Sequence, residues 1–147
     1  MCTEIGINRT HSTTLNAARE HFYLIGVGIP ANVDATGKKV FDEFFDLNSP
    51  GDIIKTITEI SQLVSQHNPK VLYMPSVGMF PLTMFVSNLR FAPLQMMALG
   101  HPATTHSPCI DYVVVEEDYV GDHGVFSEKL LVLPSDALPY VPCQGSL

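Results

Sequence analysis

Two histidines, two threonines and a serine fall within Leu99-Gly-His-Pro-Ala-Thr-Thr-His-Ser107. The stretch follows one apolar run, Leu94 to Leu99, and precedes another, Tyr112 to Val115. Histidine titrates near neutral pH, and its two ring nitrogens can donate or accept hydrogen bonds. In an open α/β sheet, ligands bind in the crevice outside the carboxyl ends of the strands. A polar loop expected at such an end is a candidate site, with His101, Thr104, Thr105 and His106 as its polar members.

Other arrangements carry less. His101 and His106 are separated by Pro102 and stand five apart, and Cys109 is single. A helical metal-binding pair needs i, i+4 spacing and a third ligand, so no metal is expected. Cys109 lies near His106 in sequence, but a catalytic thiol and its base are rarely sequence neighbours, and Pro108 restricts the geometry. Ser76 sits in Pro-Ser-Val-Gly, which is not a Gly-x-Ser-x-Gly elbow. Thr36-Gly-Lys-Lys39 has Asn32 where a phosphate loop needs glycine, and Lys39 replaces the Ser/Thr. Glu116-Glu-Asp118 reads as a solvated turn.

Gly26-Val-Gly-Ile-Pro-Ala31 matches a dinucleotide fingerprint behind a strand, with Asp46 near the offset of about 20 residues expected for a ribose-binding acid. That motif needs a helix whose N-terminus receives the pyrophosphate. Pro30 to Gly37 reads instead as a loop, so the glycines are expected to serve close packing of the strand backbone. His11 lies in Arg9-Thr-His-Ser12, just before a predicted helix. The positive end of a helix dipole disfavours protonation. A neutral His11 would suit a substrate-facing donor or acceptor, or simply a helix-capping neighbourhood.

The elements that must position these groups follow from periodicity. His11 to His21 reads as a short helix capped by Ser12 or Thr13, and Phe22 to Ile29 as a buried strand. Pro30 to Thr36 is a loop and Lys38 to Phe45 a short helix. Ser49-Pro-Gly-Asp52 opens the clearest helix, with Ser49 as N-cap and Pro50 in the first position. Ile53, Ile54, Ile57, Ile60, Leu63 and Val64 are expected on one face, and Asn68-Pro69 ends it. Val71 to Met74 is a strand, and Pro81 opens a helix through Leu89. Leu94 to Leu99, Tyr112 to Val115 and Lys129 to Leu133 are further strands, with a loop or single turn at Asp122 to Phe126. Apolar strands alternating with amphipathic helices imply an α/β, Rossmann-like parallel sheet with helices on both faces.

Length and composition narrow the function. The 147 residues suffice for one domain: Rossmann-like over 1–138, with a Pro-rich linker or tail over 139–147. A content of 46% hydrophobic and 16% charged residues marks a folded chain. The net charge of −7 argues against nucleic acid or anionic membrane as partner. No apolar run reaches the ~20 residues of a membrane span, and the N-terminus has no signal-peptide pattern. Cys2, Cys109 and Cys143 show no paired spacing, which suits free thiols and a cytoplasmic location.

Five motifs carry a family likeness: Arg9-Thr-His-Ser12, Tyr73-Met-Pro-Ser-Val-Gly-Met-Phe80, Ser87-Asn-Leu-Arg90 with Ala92-Pro-Leu-Gln95, Ala98 to Ser107, and Phe126-Ser-Glu-Lys129. From about Arg9 to Pro142 the chain resembles the cytoplasmic glycosyltransferases that modify high-molecular-weight adhesins of Gram-negative bacteria. It is more distantly similar to the O-linked N-acetylglucosamine transferases. The resemblance implies one half of a GT-B fold, the first of two Rossmann-like domains that face each other across a cleft. It implies an inverting transfer, needing no metal and no cofactor, from a UDP-hexose such as UDP-glucose to asparagine in an Asn-X-Ser/Thr sequon of an adhesin.

The resemblance also implies site residues. His11 matches a cleft-facing histidine at the head of the first helix, and His106 a second position lining the sugar and acceptor region. These are the catalytic candidates. His101, Thr104 and Thr105 share the loop, and Gly78 and Met79 fall at another strand end; these are the substrate-binding candidates. The family's second domain, which carries most of the nucleotide contacts, has no counterpart here. The chain is therefore expected to be inactive alone and to self-associate through an exposed interdomain face. Two other readings remain: a non-catalytic Rossmann-like binding or remnant domain, and an independent nucleotide-binding domain using Gly26 and Gly28.

Overall fold

The computed structural model describes residues 6–75, 77–78, 80–98, 104–135 and 137, with side chains from His11 onward. The chain divides into two compact units, one holding the residues up to Thr56 and the other Ile57–Ser135.

In the first unit, α1 (Gly6–Ala18) precedes β1 (Ile25–Gly28), a single 3₁₀ turn (Pro30–Asn32), α2 (Ala35–Lys38) and β2 (Glu43–Asp46). β1 and β2 pair in parallel, from Ile25 opposite Glu43 to Gly28 opposite Asp46. α1 begins well before His11, so Ser12 and Thr13 lie inside the helix and cap nothing. His11, Ser12, Leu15 and Ala18 form its less exposed face, at helical period.

Lys38 to Phe45 does not form the expected helix. Only Ala35–Lys38 is helical, with Asp34 accepting the Gly37 N–H at 2.7 Å as N-cap. The aromatic pair Phe44-Phe45 goes into a strand, where such side chains pack well. Asp42 fixes the start of that strand. It accepts the Leu24 N–H at 2.8 Å and pairs with Arg19 at 2.6 Å. Those two interactions, the Leu24 hydrogen bond first, hold its carboxyl below the usual carboxylate value.

α3 (Ile53–His67) starts later than Ser49. Asp52 is the capping side chain and accepts the Lys55 N–H at 3.1 Å. The Ser49 carbonyl instead receives the Thr56 hydroxyl at 2.6 Å. The inward face therefore begins at the buried Thr56 and runs through Ile57, Ile60, Leu63 and Val64, while Ile54 is 79% exposed. Asn68 adopts a left-handed φ of 45° and ends the helix ahead of Pro69.

The second unit is built on β3 (Val71–Met74), α4 (Pro81–Ser87), β4 (Leu94–Ala98), β5 (Tyr112–Glu116) and β6 (Lys129–Leu133). The four strands pair in that order, all parallel. Met74, Val77, Val86, Met97, Ile110 and Val113 form its core, with Ile60, Leu72, Leu82, Phe91, Phe126 and Leu130 packed against them. The expected parallel α/β architecture is present, as a two-stranded and a four-stranded sheet. Among the described residues, no helix is long and apolar enough to cross a membrane.

Candidate functional site

The connection leaving β4 returns to the start of β5, and its second half is held by side chains. Glu128, the residue before β6, is the centre of that anchor. Its Oε1 accepts the Thr105 N–H at 2.8 Å and also the Thr105 hydroxyl, and its Oε2 accepts the Thr104 hydroxyl at 2.7 Å. Thr104 Oγ1 lies 2.6 Å from Ser127 Oγ and accepts the Ser127 N–H at 3.0 Å. Because the one Thr104 proton goes to Glu128, Ser127 must donate in the hydroxyl pair. Glu128 is only 8% exposed. Burial pushes its carboxyl up, but the bonds from Thr104 and Thr105 outweigh this and leave it below the ordinary value.

The loop continues in the same manner. Ser107 donates its hydroxyl to the Ser87 carbonyl at the end of α4, and its oxygen accepts the Cys109 N–H at 3.1 Å. Gln95 is fully buried with its amide fully used. Oε1 accepts from Phe91 N at 2.6 Å and Ala92 N at 3.2 Å, and Nε2 donates to the Leu89 and Cys109 carbonyls at 2.9 and 2.8 Å. Arg90 clamps Asp111 through two bonds, at 2.6 and 3.2 Å, and donates to the Pro108 carbonyl at 3.3 Å. Asp111 also accepts the Gln95 N–H at 2.8 Å. Its carboxyl is held below the usual value, by Arg90 first and then by that N–H.

These contacts correct one expectation about place. Glu128 precedes β6, and Ser87 ends the helix that leads into β4. Thr104, Thr105, His106 and Ser107 therefore lie at the amino-terminal edge of the four-stranded sheet, although the loop itself departs from the carboxyl end of β4. A parallel sheet requires this return, because β5 must start where β4 started. His106 is exposed there, in a left-handed conformation with φ 53°. Such a φ is uncommon outside glycine, and here the flanking bonds of Thr105 and Ser107 hold it.

The other expected residues fall elsewhere. Gly78, past the carboxyl end of β3, has φ 102°, which favours glycine. Met79 and His101 lie outside the described residues, as do Cys2, Cys143 and the segment 138–147. His11 is a second correction. It sits more than a turn inside α1, where the dipole effect has fallen away, and it is 6% exposed with partners of its own. It belongs to the first unit and His106 to the second. Among the described residues, no three His, Cys, Asp or Glu side chains group as metal ligands.

Gly26 and Gly28 behave as the packing reading expects. A Cβ on Gly26 would stand 2.4 Å from Phe44 and 2.7 Å from Phe41, and one on Gly28 would stand 3.0 Å from Phe44. The chain after β1 enters a 3₁₀ turn, not a helix long enough to receive a pyrophosphate. Asp46 ends β2 and holds Lys38 at 2.6 and 2.7 Å.

No protein-family model matches the chain. Among curated proteins it is 58% identical over 137 residues to the UDP-glucose:protein N-β-glucosyltransferase of Actinobacillus pleuropneumoniae serotype 5b. That match covers 92% of this chain and 22% of the relative. The serotype 7 protein of the same name is 58% identical over 122 residues, covering 82% of this chain and 19% of the relative. The chain is homologous to one segment of these protein N-glucosyltransferases. The chain spans about a fifth of the length of the relatives it matches. In fold it is similar to an O-GlcNAc transferase mutant from Thermobaculum terrenum, with a TM-score of 0.66 and 20% identity over 88% of this chain and 26% of the other.

Sequence reasoning saw the motifs without the bonds between them. Phe126-Ser-Glu-Lys129 and Ala98 to Ser107 are joined by Glu128, and Ser87 to Arg90 is joined to Gln95 and Asp111. The available signal was a lone glutamate directly before a strand that must pack against apolar neighbours.

Proposed function

We propose that this chain is the acceptor-side domain of an inverting, metal-independent protein glycosyltransferase that uses UDP-glucose and glucosylates asparagine. The identity of 58% over nearly the whole chain to two UDP-glucose:protein N-β-glucosyltransferases carries the reading. In the reaction, the asparagine amide nitrogen bonds to the sugar C1 in line with the departing UDP. The C1–O bond breaks with its electrons going to the diphosphate, and the amide nitrogen loses one proton. An amide is a weak nucleophile, so orientation supplies more of the rate than a strong base does.

Within this reading, His11 and the connections following β3 and β4 orient the sugar and the acceptor. Those connections carry Gly78, Met79 and His101. Thr104 and Thr105 turn their hydroxyls to Glu128 and support the loop. In this reading His106, exposed at the amino-terminal edge, is not counted among the residues that touch the sugar. The donor nucleotide is held by other parts of the full-length enzyme, so the chain is inactive alone. The exposed stripe of Phe80, Met84, Phe85 and Leu89 along α4 is its self-association surface.

Titration of the isolated chain with UDP-glucose, followed by amide shifts, tests the acceptor-side assignment. No saturable shift up to millimolar donor is expected. Saturable binding by the monomer overturns the assignment.

A further inference from the structure

We propose that the outer edge of β6 pairs with the β6 edge of a second copy of this chain, antiparallel and centred on Leu131. The inference is independent of the transfer reaction and concerns a different surface from α4. β6 is the terminal strand of the four-stranded sheet, and among the described residues no strand pairs with its outer side. Leu131 and Val132 point to opposite faces of the sheet, and each is 42% exposed. Their partners on β5, Val114 and Val115, are buried. Native edge strands usually carry an internal charge, a proline or a bulge that blocks pairing. From Leu130 to Leu133 this edge has none.

The register selects a second copy as the occupant. Lys129 donates its N–H to the Asp111 carbonyl at 3.2 Å, so its backbone faces β5. Backbone groups of successive strand residues face alternate sides, so Leu131 and Leu133 also face β5, while Leu130 and Val132 face outward. A two-fold axis at Leu131 sets Leu130 opposite Val132 of the second copy. That pair exchanges both N–H···O=C bonds, and the symmetry repeats it across the axis. Centring on Val132 would set Leu130 against Pro134, which has no N–H to donate. Centring on Leu130 would bring the two Lys129 side chains onto neighbouring diagonal positions, where like charges repel.

With the axis at Leu131, that residue meets its own symmetry mate in a non-hydrogen-bonded pair, where side chains approach closest. Val132 covers Leu130 of the second copy, which packs on the core. Lys129 stands opposite Leu133 of the second copy, whose partner on β5 is Glu116. The lysine and that glutamate share a face two strand spacings apart, about 10 Å, and their long side chains span it over Leu133. Lys129 is exposed, with its Nζ 5.9 Å from the Tyr112 ring centroid, and a rotamer change brings it across. The pairing thus joins opposite charges in a chain whose net charge of −7 otherwise keeps copies apart.

The test is sedimentation of the isolated chain carrying Phe85→Glu, which removes association through α4. A mass of two chains is expected across the concentration range. Adding Leu131→Lys or Leu131→Glu sets like charges on the axis, and each variant is expected to sediment as one chain. An equimolar mixture of the two sets lysine against glutamate and is expected to restore the two-chain species. Hydrogen exchange reads the register: the Leu130 and Val132 amides exchange slowly in the dimer and fast in either variant alone, while those of β4 keep their protection. One chain at every concentration in the Phe85→Glu protein overturns the proposal and leaves the edge to a segment of a different protein. Two chains in Leu131→Lys, or a mixture that stays at one chain, also overturns it. If the Leu131 variants fail to fold, exchange in the Phe85→Glu dimer decides: fast exchange at Leu130 and Val132 overturns the pairing.

Discussion

The Glu128 carboxylate and Thr105, 23 residues apart, share two hydrogen bonds, one from the threonine N–H and one from its hydroxyl. The bond pair joins the return limb of the β4–β5 connection to the foot of β6. A buried carboxylate without donors would be protonated or excluded. Here the donors are numerous enough to keep it charged.

Stability should therefore depend on the charge of Glu128. Its folded-state pKa lies below its ordinary value, because the threonine hydrogen bonds outweigh burial. The contribution is complete above the ordinary carboxylate range and is lost as pH falls through the lower, folded-state value. Urea midpoints of the native chain and Glu128→Gln, measured from neutral pH downward, should differ most at neutral pH and converge in acid. A gap that widens in acid contradicts this sign.

Gln95 holds four backbone groups from within the core. Gln95→Leu keeps the volume and strands those groups without water. Each stranded buried group costs about 1–3 kcal/mol, so a loss of roughly 3 kcal/mol or more in urea unfolding is expected. A loss below about 1 kcal/mol, the level of an ordinary surface change, would mean that the network rearranges freely.

Much of the second unit was legible in the sequence. Val71–Met74, Lys129–Leu133 and the helix opening at Pro81 fall where period and punctuation put them, since buried parallel strands are continuously apolar. The first unit was harder to read. Lys38 to Phe45 mixes charges with three phenylalanines, and only its pairing with β1 makes it a strand. The candidate loop was visible as a polar string with the right residue types. Its edge was misplaced although the parallel sheet already required the return to the start of β5; what the sequence did not display are the bonds to Glu128 and Ser87 that pin it there, because those residues are distant in sequence.

Gly26 tests the packing reading of the glycine motif. A methyl group there meets Phe44 and Phe41 inside contact distance. Overpacking of this kind costs roughly 1–3 kcal/mol, so Gly26→Ala should melt earlier. The native chain should bind no nicotinamide dinucleotide. Saturable binding of that ligand, removed by Gly26→Ala, would restore the nucleotide-domain reading.

The apolar stripe on α4 bears on assembly. Met84 is 50% and Phe85 52% exposed, and exposed apolar patches favour association. Sedimentation of the isolated chain should show mass rising with concentration, and Phe85→Glu should suppress the rise. A chain that stays monomeric at high concentration removes α4 as a contact surface.

The most direct test of the account is glucose transfer by the serotype 5b glucosyltransferase after its matched stretch is replaced by this chain. Transfer from UDP-glucose to an Asn-X-Ser/Thr peptide is expected within about tenfold of the parent, a barrier change of about 1.4 kcal/mol. A folded exchanged enzyme that still binds UDP-glucose but transfers nothing would contradict the assignment of this chain as a working acceptor-side domain.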